Sequence, residues 1–222
     1  MIQEYSDSRF NTDDFLNIPT FNGKINYCKN HLGKQLSSGS SRIVWQIDNN
    51  RVLKLAKNRK GIAQNEAEYG NCQDYYMGHL FAQVFDYDKE NFLWIIAENC
   101  RKPKNSDFKK LYGLSYKEFA NLAIKFGNVY KRNSRLLETP TEEEYDFFME
   151  NCPDWCSYIT DYQPYSVPEI IRLNNLGVAS RPDGDAIVII DSGFNENVHK
   201  QYYSENLIRE VVSNVLKKYL KN

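Results

Sequence analysis

The stretch RIVWQIDNNRVLKLAK, residues 42–57, decides how the rest of the chain reads. Two short runs rich in β-branched and aromatic residues flank Asp48, Asn49 and Asn50, a cluster that tolerates left-handed backbone and turns the chain. The pattern predicts an antiparallel hairpin. Its second strand carries a conflict, because alternation puts Leu53 and Leu55 on one face and Val52 and Lys54 on the other. A lysine on the inward face of a small sheet is costly unless an acid or a phosphate accepts its charge. Lys57, Arg59 and Lys60, just beyond, are expected in solvent.

Upstream of the hairpin, Ser37, Ser38, Gly39, Ser40 and Ser41 lie between Leu36 and Val44. Such small residues either form a plain turn between strands or bring backbone amides close to an anionic ligand. Downstream, Gly61 to Met77 favours a helix, with Ile62, Ala63, Ala67, Tyr69 and Cys72 at irregular helical spacing. LFAQVFDY (80–87) and NFLWIIAE (91–98) have strand composition. The first half therefore reads strand, strand, helix, strand, strand. Residues 1–31 are polar and mixed, a partly ordered arm or a short helical lead-in.

After Pro103 the character becomes helical. Ser115 with Glu118, and Thr141 with Glu144, have capping-box spacing, and Phe119, Leu122, Ala123, Phe126 and Val129 recur at helical intervals. The acids between Leu136 and Thr160 suit a solvated helix face. GVASRPDGDAIVIID (177–191) predicts a second hairpin, turning at Pro182, Asp183 and Gly184 and ending at Asp191. A terminal helix over Leu207 to Leu220 presents an apolar stripe that must bury.

Composition narrows the classes. With 222 residues, 28 Lys+Arg against 29 Asp+Glu, and 41% hydrophobic residues, the chain is of ordinary globular type. A net charge of −1 argues against an enveloping nucleic-acid or anionic-membrane surface. No apolar run approaches a membrane span and the first residues lack a secretory pattern, so a cytoplasmic protein is expected. Cys28, Cys72, Cys100, Cys152 and Cys156 read as free thiols; Cys152 and Cys156 have no second pair to complete a zinc site, and His31, His79 and His199 lie far off in sequence.

In this order of elements the chain resembles the protein-kinase-like superfamily, in particular the small kinase-like proteins encoded by bacteriophages. LSSGSSRIV (36–44) resembles the glycine-rich loop, with Leu36, Gly39 and Val44 matching and with Ser37 and Arg42 where the family has glycines. RVLK (51–54) resembles the family's lysine strand, which implies that Lys54 holds the α- and β-phosphates of ATP. KGIAQNEAEY (60–69) resembles the helix that supplies its Glu partner. Glu68 is the choice and Glu66 the alternative, since the two differ by about 200° around a helix. FLWIIAENC (92–100) resembles the fifth strand and hinge, where backbone groups of Glu98 to Cys100 would meet the adenine.

DSG at 191–193 looks like the family's DFG, which implies that Asp191 binds Mg²⁺. EIIRLN (169–174) has the spacing of the catalytic loop, which implies Asn174 as a second Mg²⁺ ligand, with Asn175 as competitor, and Glu169 in place of the catalytic Asp. Asp161 is a weaker substitute for that base. The expected fold class is α+β: a minimal two-lobed protein-kinase-like fold with an arm at 1–31, an antiparallel sheet plus helix over 32–99, and a truncated, mostly helical lobe over 100–222. The resemblance implies transfer of the γ-phosphoryl group of ATP to a hydroxyl of a protein or small molecule. The alternative is a catalytically inactive pseudokinase that binds a host or viral protein partner.

Overall fold

A computed structural model describes residues 10–32, 34–129, 137–162, 167–193, 198, 201 and 202 of the chain; of residues 161 and 162 only the backbone is described. The predicted terminal helix over 207–220 lies outside them, as does the side chain of Asp161. The helical lead-in allowed by the sequence consists of two helices, α1 (Thr12–Leu16) and α2 (Phe21–His31). Asn11 caps the first by accepting from the amides of Asp13 and Asp14, and Thr20 caps the second by accepting from Gly23. They are joined by the buried Lys24, whose Nζ donates to the Phe15 carbonyl at 2.6 Å.

Strands β1 (Lys34–Ser38), β2 (Arg42–Gln46), β3 (Arg51–Ala56), β4 (Val84–Tyr87) and β5 (Trp94–Glu98) form one antiparallel sheet in the order β1-β2-β3-β5-β4. The alternation expected in β3 is observed. Leu53 and Leu55 join Trp45, Trp94 and Ile96 in a core closed by Phe15 and Cys28 of the N-terminal helices and by Phe10 just before them. Val52 lies on the opposite face with Ile95 and Ala97. One face of the sheet is thus sealed by the lead-in, and the other, which carries Lys54, turns toward the remainder of the molecule.

Between β3 and β4 runs α3 (Arg59–Cys72), capped by the Asn58 side chain, which accepts from the Gly61 amide. It stops five residues short of the predicted Met77, because Asp74 Oδ1 accepts the amides of Tyr76 and Met77 and turns the chain. Its buried positions are Gly61, Gln64, Asn65, Glu68 and Cys72, a helical face made largely of polar groups.

The second lobe holds α4 (Asn105–Tyr112), α5 (Tyr116–Val129), α6 (Glu142–Asn151), α7 (Pro153–Ser157) and α8 (Val167–Ile170), followed by the hairpin of β6 (Leu176–Arg181) and β7 (Gly184–Ile189). Phe108, Phe119, Phe126, Phe148 and Trp155 fill its core. Both predicted capping boxes are present, at Ser115/Glu118 and Thr141/Glu144. Glu138 and Glu144 of the acidic stretch neutralise Lys125. This is an α+β fold of two lobes, an antiparallel sheet with its helix followed by a mostly helical unit, which is the layout implied by the kinase resemblance.

The β6–β7 hairpin docks the lobes together. Arg101 and Val178 exchange backbone hydrogen bonds of 3.1 and 2.8 Å, and the amide of Ala82 donates to the Ile189 carbonyl. Arg181 donates to the carbonyls of His79 and Phe81 and to Glu98 Oε2. No helix among the described residues is long and apolar enough to cross a membrane.

Two glycines let α3 sit this close. A Cβ on Gly61 would lie 2.2 Å from the Ser41 carbonyl oxygen, and one on Gly193 would lie 2.7 Å from Gln64 Cβ. Gly70, on the same helix, has open space around it. Gly61→Ala is expected to destabilise the protein by about 1–3 kcal/mol through overpacking, while Gly70→Ala stabilises it by roughly 0.5–1 kcal/mol through helix propensity. Urea denaturation of the two variants against the parent measures both signs.

Candidate functional site

Lys54 sits in the middle of β3, paired across to Val44 on one side and Ile95 on the other. Its Nζ donates to Glu68 Oε2 at 2.5 Å and to the Ile190 carbonyl at 2.7 Å. Two of the three ammonium N–H groups are therefore used, and the third has no partner among the described residues. Glu68 is buried, whereas Glu66 is exposed on the opposite side of α3. Of the two candidates, Glu68 is the partner of Lys54.

Glu68 accepts a second cation. Arg42, the first residue of β2, places Nη1 2.7 Å from Glu68 Oε1 and Nη2 2.6 Å from Asp191 Oδ1. Asn65 Oδ1 lies 3.3 Å from the same Nη1. Burial alone would lower the pKa of the guanidinium, but Glu68 and Asp191 outweigh it and the net displacement is upward. Two cations and two carboxylates thus form one chain of contacts, from Lys54 through Glu68 and Arg42 to Asp191. Asp191 stands at its outer end with its side chain half exposed.

The Ser37–Ser41 segment ends β1 and turns into β2, and its second half is tied to α3 and to the residues that lead into it. Ser41 Oγ bonds Gln64 Oε1 at 2.6 Å, the Ser41 carbonyl accepts the Lys57 amide, the Ser40 carbonyl accepts Asn58 Nδ2, and Lys57 Nζ reaches the Gly39 carbonyl. Lys57, expected in solvent, is exposed but spends its ammonium on this loop. The Gly39 amide closes the turn onto the Arg42 carbonyl. Of the five small residues, only Ser37 lines the cavity described next; Ser38, Gly39, Ser40 and Ser41 do not.

A cavity of about 290 Å³ opens beneath β1–β3. Leu36, Val44 and Val52 form its apolar roof, Glu98, Asn99 and Cys100 its back wall, Asn174, Ile190 and Asp191 its floor, with Lys54 and Arg42 at the polar end. In the back wall the amides of Glu98 and Asn99 are donated to the carbonyls of Gln83 and Asn50. The Glu98 carboxylate is committed to Arg181 and the Gln83 amide. Cys100 keeps a backbone N–H with no partner among the described residues. Burial foremost pushes its thiol up to about 12.

Asn174 lies in the short 3₁₀ turn Leu173–Asn175 and lines the cavity. Its competitor Asn175 spends its side-chain amide on the Glu169 carbonyl and its own carbonyl on the Ile190 amide, which fixes the floor under Asp191. Glu169 does not line the cavity. Its carboxylate is gripped by both terminal nitrogens of Arg172, at 3.0 and 2.8 Å. Among the described residues there is no cluster of three or more His, Cys, Asp or Glu side chains placed to hold a metal ion.

Sequence reading did not give roles to Arg42, Gln64, Asn65 or Asn71. The last donates to the Ser192 carbonyl at 2.9 Å and ties the DSG segment to α3. A signal was present in the intervals 61, 64, 65, 68 and 72, which follow i, i+3, i+4, i+7 in Gly, Gln, Asn and Glu where an apolar stripe would normally stand.

No protein-family model matches the chain, and no curated protein matches it. Among solved structures, a chain of the streptomycin–ATP–APH(2")-IIa ternary complex is similar at 16% identity and a TM-score of 0.30, over 81% of this chain and 72% of that one. A likeness of that extent defines no fold, and the two-lobed architecture rests on the strands and helices described above.

Removing Glu68 strips the buried partner from two cations at once. Glu68→Gln is expected to cost about 3 kcal/mol or more of stability, while Glu66→Gln leaves the unfolding midpoint where it was; paired denaturant titrations separate the two.

Proposed function

We propose that the chain is a kinase-like phosphotransferase that binds ATP in the cavity under the sheet and transfers its γ-phosphoryl group to a hydroxyl of a protein or small molecule. The observation that carries this reading is that Lys54, held from behind by the buried Glu68, lines the polar end of an apolar-roofed cavity whose floor ends in Asp191. A flat base fits between the roof of Leu36, Val44 and Val52 and the floor, with the Cys100 amide as a donor to its edge. The remaining N–H of Lys54 would donate to a phosphate oxygen, and holding the ammonium on Glu68 removes the cost of orienting it at the moment of binding.

The donor set fits Mg²⁺. Asp191 offers a half-exposed carboxylate and Asn174 an amide oxygen on the same floor, and Mg²⁺ is ordinarily held by one or two such groups together with substrate phosphates and water. When bound, the ion would neutralise charge on the phosphoryl group being transferred. Asn175 positions this pair by fixing the backbone on both sides. Glu169 is the base of this reading, and to accept a proton its carboxylate must leave Arg172.

That last contact favours a second reading. A carboxylate held in a guanidinium fork is a poor proton acceptor, and an inactive fold that binds a partner protein would tolerate it. Both readings share the nucleotide cavity and differ in transfer.

ATP at about 100 times its dissociation constant should stabilise the parent protein by roughly 2.7 kcal/mol, a shift of a few degrees in Tm. The shift should vanish in a folded Lys54→Ala variant. With Mg²⁺ and labelled ATP, Asp191→Asn should abolish phosphoryl transfer; full transfer by that variant would remove Asp191 from the metal site, and no transfer by the parent to any tested hydroxyl would favour the partner-binding reading.

A further inference from the structure

Arg42 stands in a place that the nucleotide reading does not use. We infer that its guanidinium is a resident cation on Asp191, so that nucleotide phosphates bind in this cavity without a divalent metal and Mg²⁺ must compete with Arg42 for the same carboxylate. The inference rests on the proposed nucleotide site and concerns how its charge is balanced.

Four observations support it. The Arg42 side chain lines the cavity, so its charge is felt where phosphates would lie. Nη2 is 2.6 Å from Asp191 Oδ1, closer than a second cation on that oxygen would permit without strong like-charge repulsion. The guanidinium is anchored on its far side by Glu68 and Asn65, both buried. The loop that carries it is tied to α3 and its N-terminal flank through Ser41–Gln64, Ser40–Asn58 and Gly39–Lys57. Arg42 therefore has no slack to swing out when a metal arrives.

Lys54 and Arg42 match Glu68 and Asp191, so the site is neutral before a polyphosphate arrives, and phosphate binding without metal would rest on the oriented N–H donors of the two cations. A guanidinium suits phosphate oxygens at least as well as carboxylate, and the donors of Arg42 not taken by Glu68, Asn65 and Asp191 are the ones a phosphate would meet. Arg42 supplies one positive charge at the spot where Mg²⁺ would supply two, and supplies it permanently.

The test is isothermal titration of the full chain with ATP in EDTA and, separately, in millimolar Mg²⁺. The parent is expected to bind with dissociation constants within about threefold of each other, and Arg42→Gln is expected to lose about tenfold or more in EDTA and to regain affinity with Mg²⁺. Arg42→Lys, which keeps the charge, should retain most of the binding in EDTA. Binding by the parent only in Mg²⁺ overturns the inference and leaves the nucleotide site standing. Binding in neither condition removes the nucleotide reading itself. Because the decisive comparison uses the parent, it stands even if Arg42→Gln fails to fold.

Discussion

Glu68 holds two cations from two different strands, and much of the architecture follows from that double contact. A carboxylate taken out of water is tolerated only when its charge is met, and here Lys54 from β3 hydrogen-bonds Oε2 while Arg42 from β2 stands within ion-pair distance of Oε1. Through Arg42 the contact extends to Asp191 at the end of the second lobe's hairpin. One buried acid on one helix thereby sets the relative positions of a loop, a strand and a segment 149 residues from Arg42 in sequence.

The helix that carries Glu68 is unusual in what it buries. Gln64, Asn65 and Asn71 each satisfy a polar group from elsewhere in the chain, namely Ser41, Phe92 and Ser192. Hydrogen bonds are directional where apolar packing is not, so α3 has one register against the sheet. The apolar work is done on the other side, where Phe10, Phe15 and Cys28 cover Trp45, Leu53 and Leu55. The sheet separates a face covered by the N-terminal segment from one where Lys54 stands among Val44, Val52, Ile95 and Ala97.

The strands were legible because β-branched alternation is a local signal, and Lys54 stood out because it broke the pattern. Helical geometry said that only one of Glu66 and Glu68 could face Lys54, and the burial of Glu68 decided which. The N-terminal helices were harder to read: their caps at Asn11 and Thr20 are plain in retrospect, but their apolar residues are spaced too sparsely for periodicity to separate a docked helix from a loose arm. Arg42 was visible only as a departure from a glycine, because its partners are 26 and 149 residues away and no local pattern encodes them. Residue types revealed the candidate site; which loop amides turn inward, and which wall groups are already spent, depended on tertiary contacts.

Electroneutrality of the buried chain of contacts has a consequence for how this site can change. With two positive and two negative groups in series, of which Lys54, Glu68 and Arg42 are buried, altering one of these three leaves charge uncompensated in a poorly hydrated place, whereas a matched exchange at both ends of one link preserves the sum. Change at this site is therefore expected to come in concerted pairs, with Arg42 free to vary only once Glu68 and Asp191 have another cation.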